Sequence, residues 1–420
     1  MGIPSIPHLD IHAQAYGHSL LLGRLAHDSA TRRGGFEWSE QAREHGQEWS
    51  PVFMPLAERT WHSGPGSAHL DGLPGFIHDA LPDGWGLLLM DRAFAQQGIA
   101  PQDITPLHRL ALIGDHAWGA LRFEPPCQVL ETAQEHTTID VLARHAQEIQ
   151  QDRNCGVSTL MLSAGMAPHG ARPKVMVGIH DDHRQVLVGQ QALPSGYRPV
   201  LIKFAGIDEP ASNPALEYCY TEAARGMGIS TMPAYLLPGA FPGICFDRFD
   251  RQHGHRQHVH SMAGMLHTTH RVPNSDWAQV ATLLKRLPGG QTDLEQAFRR
   301  AVFNCVFHAR DDHTKNLSFM RHEDGRWGLA PAYDICYSRG PGGWHTMTYA
   351  GHTRQHVMRE DLLRLGEMFE VLPQEVDLLI KQARTARAEM MGHAKKAGVA
   401  RATLTEIAAQ FKQLDSALSQ

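Results

Sequence analysis

The chain has 420 residues, a formal net charge of −5 and 42% hydrophobic residues, enough for two or three subdomains. The mild acidity offers no global basic surface for nucleic acid, so DNA contact would have to come from a local patch or a partner. No apolar run reaches the length needed to cross a bilayer, so no membrane partner is expected.

The chain begins Met1-Gly2-Ile3-Pro4-Ser5-Ile6-Pro7, with no basic stretch or apolar run, and is not read as a signal peptide. Ile6 stands where a myristoylation signal wants Ser or Thr. Residues 1–128 mix short strands, Gly/Pro turns and one or two helices, and Pro125-Pro126 marks a boundary. Residues 129–252 carry strand patterns. Lys174 to Ile179 and Gln185 to Val188 frame a turn at 180–183, and Arg198 to Phe204 and Gly243 to Arg251 read as further strands. Leu216 to Met227 has helical composition. Residues 253–420 are mostly helical, with periodic stretches at Trp277 to Arg286, Asp293 to Ala309, Arg359 to Phe369, Gln374 to Ala397 and Ala402 to Leu418. The six cysteines (127, 155, 219, 245, 305, 336) are scattered with no Cys-x-x-Cys, which reads as reduced core residues of a cytoplasmic protein. His253, His255, His258 and His260 form a dense group, but they surround Gly254 as a hairpin turn would, and metal binding there is not favoured. There is no His-Glu-x-x-His and no Gly-x-Ser-x-Gly.

The richest chemistry lies at Asp311-Asp312-His313-Thr314-Lys315-Asn316, followed by Pro331-Ala332-Tyr333-Asp334. An Asp, an Asn five positions on and a later isolated Asp is the layout of a phosphoryl-transfer site. One Asp takes the proton of an attacking hydroxyl, while Asn and Asp oxygens hold Mg²⁺ against nucleotide phosphates, because a hard cation best neutralises the spread charge. Asp and Asn are also common turn residues. The order here is an apolar helix end (Ala301 to Phe307), polar loop, a hairpin turning at Asp324-Gly325, then Asp334; this favours the site.

Upstream, Gly165 to Lys174 is rich in small residues, so its amides can approach phosphate oxygens; an ordinary turn would look the same. Lys203 sits inside the apolar run Val200 to Phe204 and needs a partner. Glu217 on the following helix supplies one, as in kinases, where such a Lys also touches phosphate. An edge-strand Lys reaching solvent is the plainer alternative.

Asp-x-His-x-Lys-Asn-x-Ser followed by Ala-Pro-Ala-Tyr-Asp-Ile resembles the HipA family of serine/threonine kinases, toxin components of toxin–antitoxin pairs. Leu73 to Phe76, Leu81-Pro82-Asp83-Gly84-Trp85-Gly86 and Leu110 to Phe123 resemble its N-terminal subdomain. Gly170-Ala171-Arg172-Pro173-Lys174 resembles its phosphate loop, Leu201 to Phe204 its ATP-lysine strand, and Phe246 to Arg251 its hinge. The resemblance implies an α+β, kinase-like bilobal fold: an N-terminal mixed subdomain (1–128), a β-rich N-lobe (129–252) and a mostly helical C-lobe (253–420). It implies Asp311 as catalytic group and Asn316 and Asp334 as Mg²⁺ ligands. Gly170, Ala171, Arg172, Lys174, Lys203, Glu217, Asp247, Phe249, His313, Lys315 and Tyr333 are the implied ATP contacts, although Phe249 also reads as core and Asp247 as an ion-pair partner of Arg248 or Arg251.

The activity so implied is an ATP- and Mg²⁺-dependent serine/threonine protein kinase. Its substrate would belong to translation, such as an aminoacyl-tRNA synthetase. A HipB-like helix-turn-helix antitoxin would restrain it and provide its only link to DNA. A small-molecule or lipid-like phosphotransferase on the same scaffold and a non-catalytic regulator are the alternatives. One departure stands out: the family serine seven residues before the loop lysine, whose autophosphorylation switches the kinase off, is replaced by Ala167.

Overall fold

In His8–Ala15 the alternate residues Leu9, Ile11, Ala13 and Ala15 are buried, the period of a half-buried strand. The chain turns back through Tyr16 and Gly17, both at positive φ (51° and 82°), into the antiparallel strand His18–Asp28. The computed structural model describes residues 5–127, 135–152, 154–189, 192–237, 239, 241–352 and 355–418. The first four residues and the boundary expected at 128/129 lie outside them.

The architecture is α+β, in two compact units. The first comprises Met1–Ala211, Leu237–His260 and Gly264–His267. It holds a five-stranded antiparallel sheet in the order Thr60–His62, Arg33–Trp38, His18–Asp28, His8–Ala15, Leu121–Glu124. It also holds the antiparallel run Gly243–Asp247, Tyr197–Phe204, Lys174–His180, Gln185–Val188, Glu135–Thr138. Both sheets lie in this first unit. The helix Gly84–Gln96 buries Trp85, Leu89, Met90, Ala93 and Phe94.

The strand expected over Gly243 to Arg251 stops at Asp247. The cause is Asp250, fully buried, which accepts hydrogen bonds from Arg248 (Nε, 2.9 Å), Arg251 (Nη1, 2.7 Å) and the Gly119 amide (2.8 Å). Satisfying that carboxylate turns the chain out of the sheet. A small hairpin follows, with Gln252 opposite His255 and a turn of His253 (φ 51°) and Gly254 (φ 77°). The histidine group is therefore a turn and its flanks: His258 Nε2 meets the Trp49 carbonyl at 2.9 Å, and His260 Nδ1 meets Asp79 Oδ2 at 2.7 Å.

The second unit comprises Ser212–Leu236, Ser261–Ala263 and Thr268–Gln420. The helix Asn213–Gly226, read from sequence beside the N-lobe strands, belongs here. Trp277–Arg286, Leu294–Val306, Arg359–Met368, Pro373–Lys396 and Arg401–Ala417 form the other long helices. Trp277–Arg286 starts with a capping box between Asp276 and Gln279. The end of Leu294–Val306 is held from two sides: Tyr220 donates to the Phe307 carbonyl (3.0 Å), and Arg387, lying over the Phe411 ring, donates to that of Val306 (3.0 Å). These bonds take up carbonyls that a helix end leaves without partners, and so fix where the next loop begins. The hairpin Ser318–Arg321 and Trp327–Leu329 follows, turning at Asp324-Gly325 with Gly325 at φ 84°.

Candidate active site

The loop after Leu294–Val306 carries two adjacent aspartates that go opposite ways. The Asp311 side chain is 61% exposed, whereas that of Asp312 is 1% exposed. Asp312 Oδ2 accepts from His345 Nδ1 (2.9 Å) and Tyr349 OH (3.2 Å), and its Oδ1 accepts from the Thr346 amide (3.0 Å) and hydroxyl (2.9 Å). Burial pushes the Asp312 carboxyl up, but the neighbouring His345 ring and hydrogen bonds from His345, Thr346 and Trp277 outweigh it and hold the group below the usual carboxylate range. Anchored there, the backbone presents Asp311 on the other side. Asn316 closes the loop: its Nδ2 donates to the Asp311 carbonyl at 2.9 Å and its backbone amide to the His313 carbonyl at 2.8 Å. With Nδ2 so engaged, Oδ1 is the Asn316 atom presented as a ligand.

The second loop is tied to the first by Tyr333, whose hydroxyl donates to the Lys315 carbonyl (2.7 Å). Its neighbour Asp334 has φ 56°, an uncommon conformation for a non-glycine residue. Asp311, His313, Asn316, Tyr333 and Asp334 all line one cavity of about 40 Å³, together with Arg300 and Asn304. That volume holds a cation or a few waters. Asp311, Asn316 and Asp334 supply the oxygen donors a hard cation prefers. Among the described residues no group of three His, Cys, Asp or Glu could hold a metal unaided, so further ligands to such a cation would be phosphate or water oxygens. Lys315, read as a nucleotide contact, is only 5% exposed and is not in the cavity wall.

In the first unit, Lys174 and Lys203 stand directly opposite each other on neighbouring strands, 3% and 4% exposed. Lys203 Nζ lies 5.4 Å from the centre of the Phe246 ring. Lys174 Nζ donates to the His169 carbonyl at 2.5 Å, and Arg172 Nε pairs with Glu209 Oε1 at 2.7 Å. The Gly170 amide donates to Asp83 Oδ1, and the Gly170 carbonyl accepts from the Trp85 amide at 2.9 Å. The Ala171 backbone packs against the Gly84 position. A second cavity, about 380 Å³, is lined by Met176, Gly178 and Pro199, which share the Lys203 face of the sheet, and by Arg248. Asp247 and Phe249 are not in its wall. Asp247 pairs with Arg198 at 3.1 Å, and Phe249, 3% exposed, packs edge-on against Trp118. Glu217 is 1% exposed on Asn213–Gly226, in the second unit. Sequence reading gave no individual role to Asp312, signalled only by an Asp doublet, or to Asp83, signalled only as part of the motif 81–86.

Residues 166–413, more than half of the chain, match the HipA-like C-terminal domain, and residues 13–124 match the HipA N-terminal domain. HipA of Shewanella oneidensis MR-1, solved with HipB and its operator DNA, is similar over 97% of this chain and 95% of that one, with a TM-score of 0.68 and 15% identity. At that identity the likeness concerns the fold. The Helicobacter pylori proinflammatory kinase CtkA is similar over 52% of this chain and 91% of that one, with a TM-score of 0.33 and 11% identity. No curated protein matches the chain in sequence. Among the described residues no helix is long and apolar enough to cross a membrane.

Proposed function

The chain belongs to the HipA family, and from that premise we propose that it is an ATP- and Mg²⁺-dependent serine/threonine protein kinase. The observation that carries the reading is the cavity shared by Asp311, Asn316 and Asp334. Asp311, solvent-facing, is the group that orients the acceptor hydroxyl and takes its proton. Asn316 and Asp334 would hold Mg²⁺, which supplies charge neutralisation at the transferring phosphoryl group.

Lys203 and the loop 170–174 are the proposed phosphate contacts. The cavity beside Met176, Pro199 and Arg248 has the size for a nucleotide base. Following the family, the protein acceptor would be part of the translation machinery, such as an aminoacyl-tRNA synthetase, and the setting cytoplasmic. The similar Shewanella protein was solved with HipB and operator DNA, which supports a helix-turn-helix antitoxin as the partner here and DNA contact through it.

The test is transfer of labelled γ-phosphate to protein by purified enzyme with Mg²⁺, alongside growth arrest on expression. Mg-ATP should also raise the melting temperature, since a ligand of the folded state stabilises it by mass action, and Lys203→Ala should shrink that shift. Labelling of small molecules but not protein would move the assignment to a metabolite or lipid-like acceptor. No labelling and no melting shift would leave a non-catalytic regulator.

A further inference from the structure

The segment Leu81-Pro82-Asp83-Gly84-Trp85-Gly86 has no part in the chemistry proposed above, yet it lies against the loop 165–171. Asp83 occupies the N-cap position of the helix Gly84–Gln96, with extended backbone (φ −122°, ψ 175°) and one of the best capping residue types. It makes no side-chain cap to that helix. Its Oδ1 accepts the Gly170 amide instead, while the Trp85 amide donates to the Gly170 carbonyl (2.9 Å). Both backbone polar groups of Gly170 are thus held by two residues of one turn.

The approach is close enough to require glycine. Gly84 has φ 47°, and a Cβ there would stand 2.6 Å from Ala171 Cα. A Cβ on Gly86 would stand 2.6 Å from the Met166 carbonyl oxygen, against backbone that cannot swing away. On the far side of the loop Arg172 is held by Glu209 (2.7 Å) and Lys174 by the His169 carbonyl (2.5 Å).

We propose that Asp83 is a positioning residue: its carboxylate on the Gly170 amide sets the shape of the loop 166–173 before nucleotide arrives. A small, glycine-containing loop loses much conformational freedom on binding phosphate, and ordering it in advance removes that cost from each binding event. The helix forgoes its own cap to supply this contact. The inference rests on reading 170–174 as the phosphate loop for its effect on ATP, but not for the contact itself.

The experiment compares Asp83→Ala and Asp83→Asn with the natural chain, each checked for folding by its melting temperature. Hydrogen exchange of the peptide spanning 164–174 is measured without nucleotide, and KM for ATP and kcat are measured separately. In Asp83→Ala, exchange of the Gly170 amide should accelerate on the order of tenfold or more, the loss expected for one charge-assisted hydrogen bond. KM for ATP should rise by a similar factor with kcat changed much less, since the lost order burdens binding. Asp83→Asn keeps an oxygen that can accept the same N–H and should restore most of both. Unchanged exchange in Asp83→Ala overturns the proposal; a lowered KM or a gain in activity also overturns it, and would make the contact inhibitory. Because exchange is read on nucleotide-free protein, it decides the contact even if no version turns over ATP, a result that would count against the kinase reading alone.

Discussion

The Tyr333 hydroxyl donates to the Lys315 backbone carbonyl at 2.7 Å, and with its one proton so used it accepts from Ser318 Oγ at 2.6 Å. Three points of two loops are joined through one oxygen, one residue from Asp334 and one from Asn316. Tyr333→Phe removes only that oxygen. It should lower stability by about 1 kcal/mol, the net worth of a typical hydrogen bond. Its effect on kcat should be larger, on the order of tenfold, because small displacements of reacting groups are costly. Melting and single-turnover rates check this; a Phe variant with undiminished kcat would show that the tie does not position Asp334.

The adjacent aspartates should separate activity from stability. Asp311→Ala should abolish phosphoryl transfer and leave the melting curve unchanged, because an exposed carboxylate contributes little packing. Asp312→Ala should destabilise the chain by roughly 3 kcal/mol, since it removes the buried carboxylate that His345, Thr346 and Tyr349 share and leaves the last two only the Arg310 and Ala301 carbonyls. Equal effects of the two substitutions on melting would contradict the division of roles.

That division also shows where sequence reading stops. The hairpin at Asp324-Gly325 was legible, because Gly supplies the positive φ its turn needs and apolar runs flank it. The helices of the second unit were legible from their period, within a residue or a few at each end. Asp311 and Asp312 are chemically identical neighbours, and residues 345–349 with Trp277, which close around one of them, make them different. The end of the strand at Asp247 was hidden likewise, since Asp250 finds Gly119 far back in the chain. Lys315 is placed near the phosphates by family resemblance alone; that it is buried is something the sequence of a polar loop does not reveal.

Acid should weaken the fold through His308. Its ring is 1% exposed, Nδ1 meets the Ser338 carbonyl at 3.1 Å, and burial, reinforced by Arg310, pushes its pKa from 6.5 down to about 4. The unfolded chain takes up the proton near pH 6.5 and the folded chain only near pH 4, so this contribution to stability is complete above 6.5 and lost as pH falls towards 4. The loss is roughly 1.4 kcal/mol per pH unit inside that window. His267 in the first unit, also pushed down to about 4 by burial, acts in the same direction. His308→Asn is the control, because His308 sits at φ 55°, which Asn tolerates. Urea unfolding across the window should show a shallower slope for that variant; an identical slope would remove His308 from the account.

The last prediction concerns self-regulation. In the family that this chain belongs to, phosphate on the loop serine adds a charge of roughly −2 that repels ATP phosphates and draws the loop from its seat. Residues 164–174 here contain no Ser, Thr or Tyr, and Ala167 is 2% exposed. Upstream, Ser158 uses its hydroxyl to accept the Met161 amide at the start of the helix Thr159–Gly165, and Ser163 is buried within that helix. Prolonged incubation with Mg-ATP should therefore leave the natural loop unmodified and its activity constant. Ala167→Ser restores a hydroxyl, but in a buried place that a kinase reaches only when the loop leaves its seat. Phosphate should accumulate slowly on that serine, with activity falling in step. Adding Asp83→Ala, which releases Gly170, should speed the accumulation. Mass spectrometry of the timed samples gives both rates. If Ala167→Ser gains no phosphate while the enzyme labels other protein, residue 167 does not occupy the family's regulatory position; if it gains phosphate at the same rate with and without Asp83, the loop opens independently of that carboxylate.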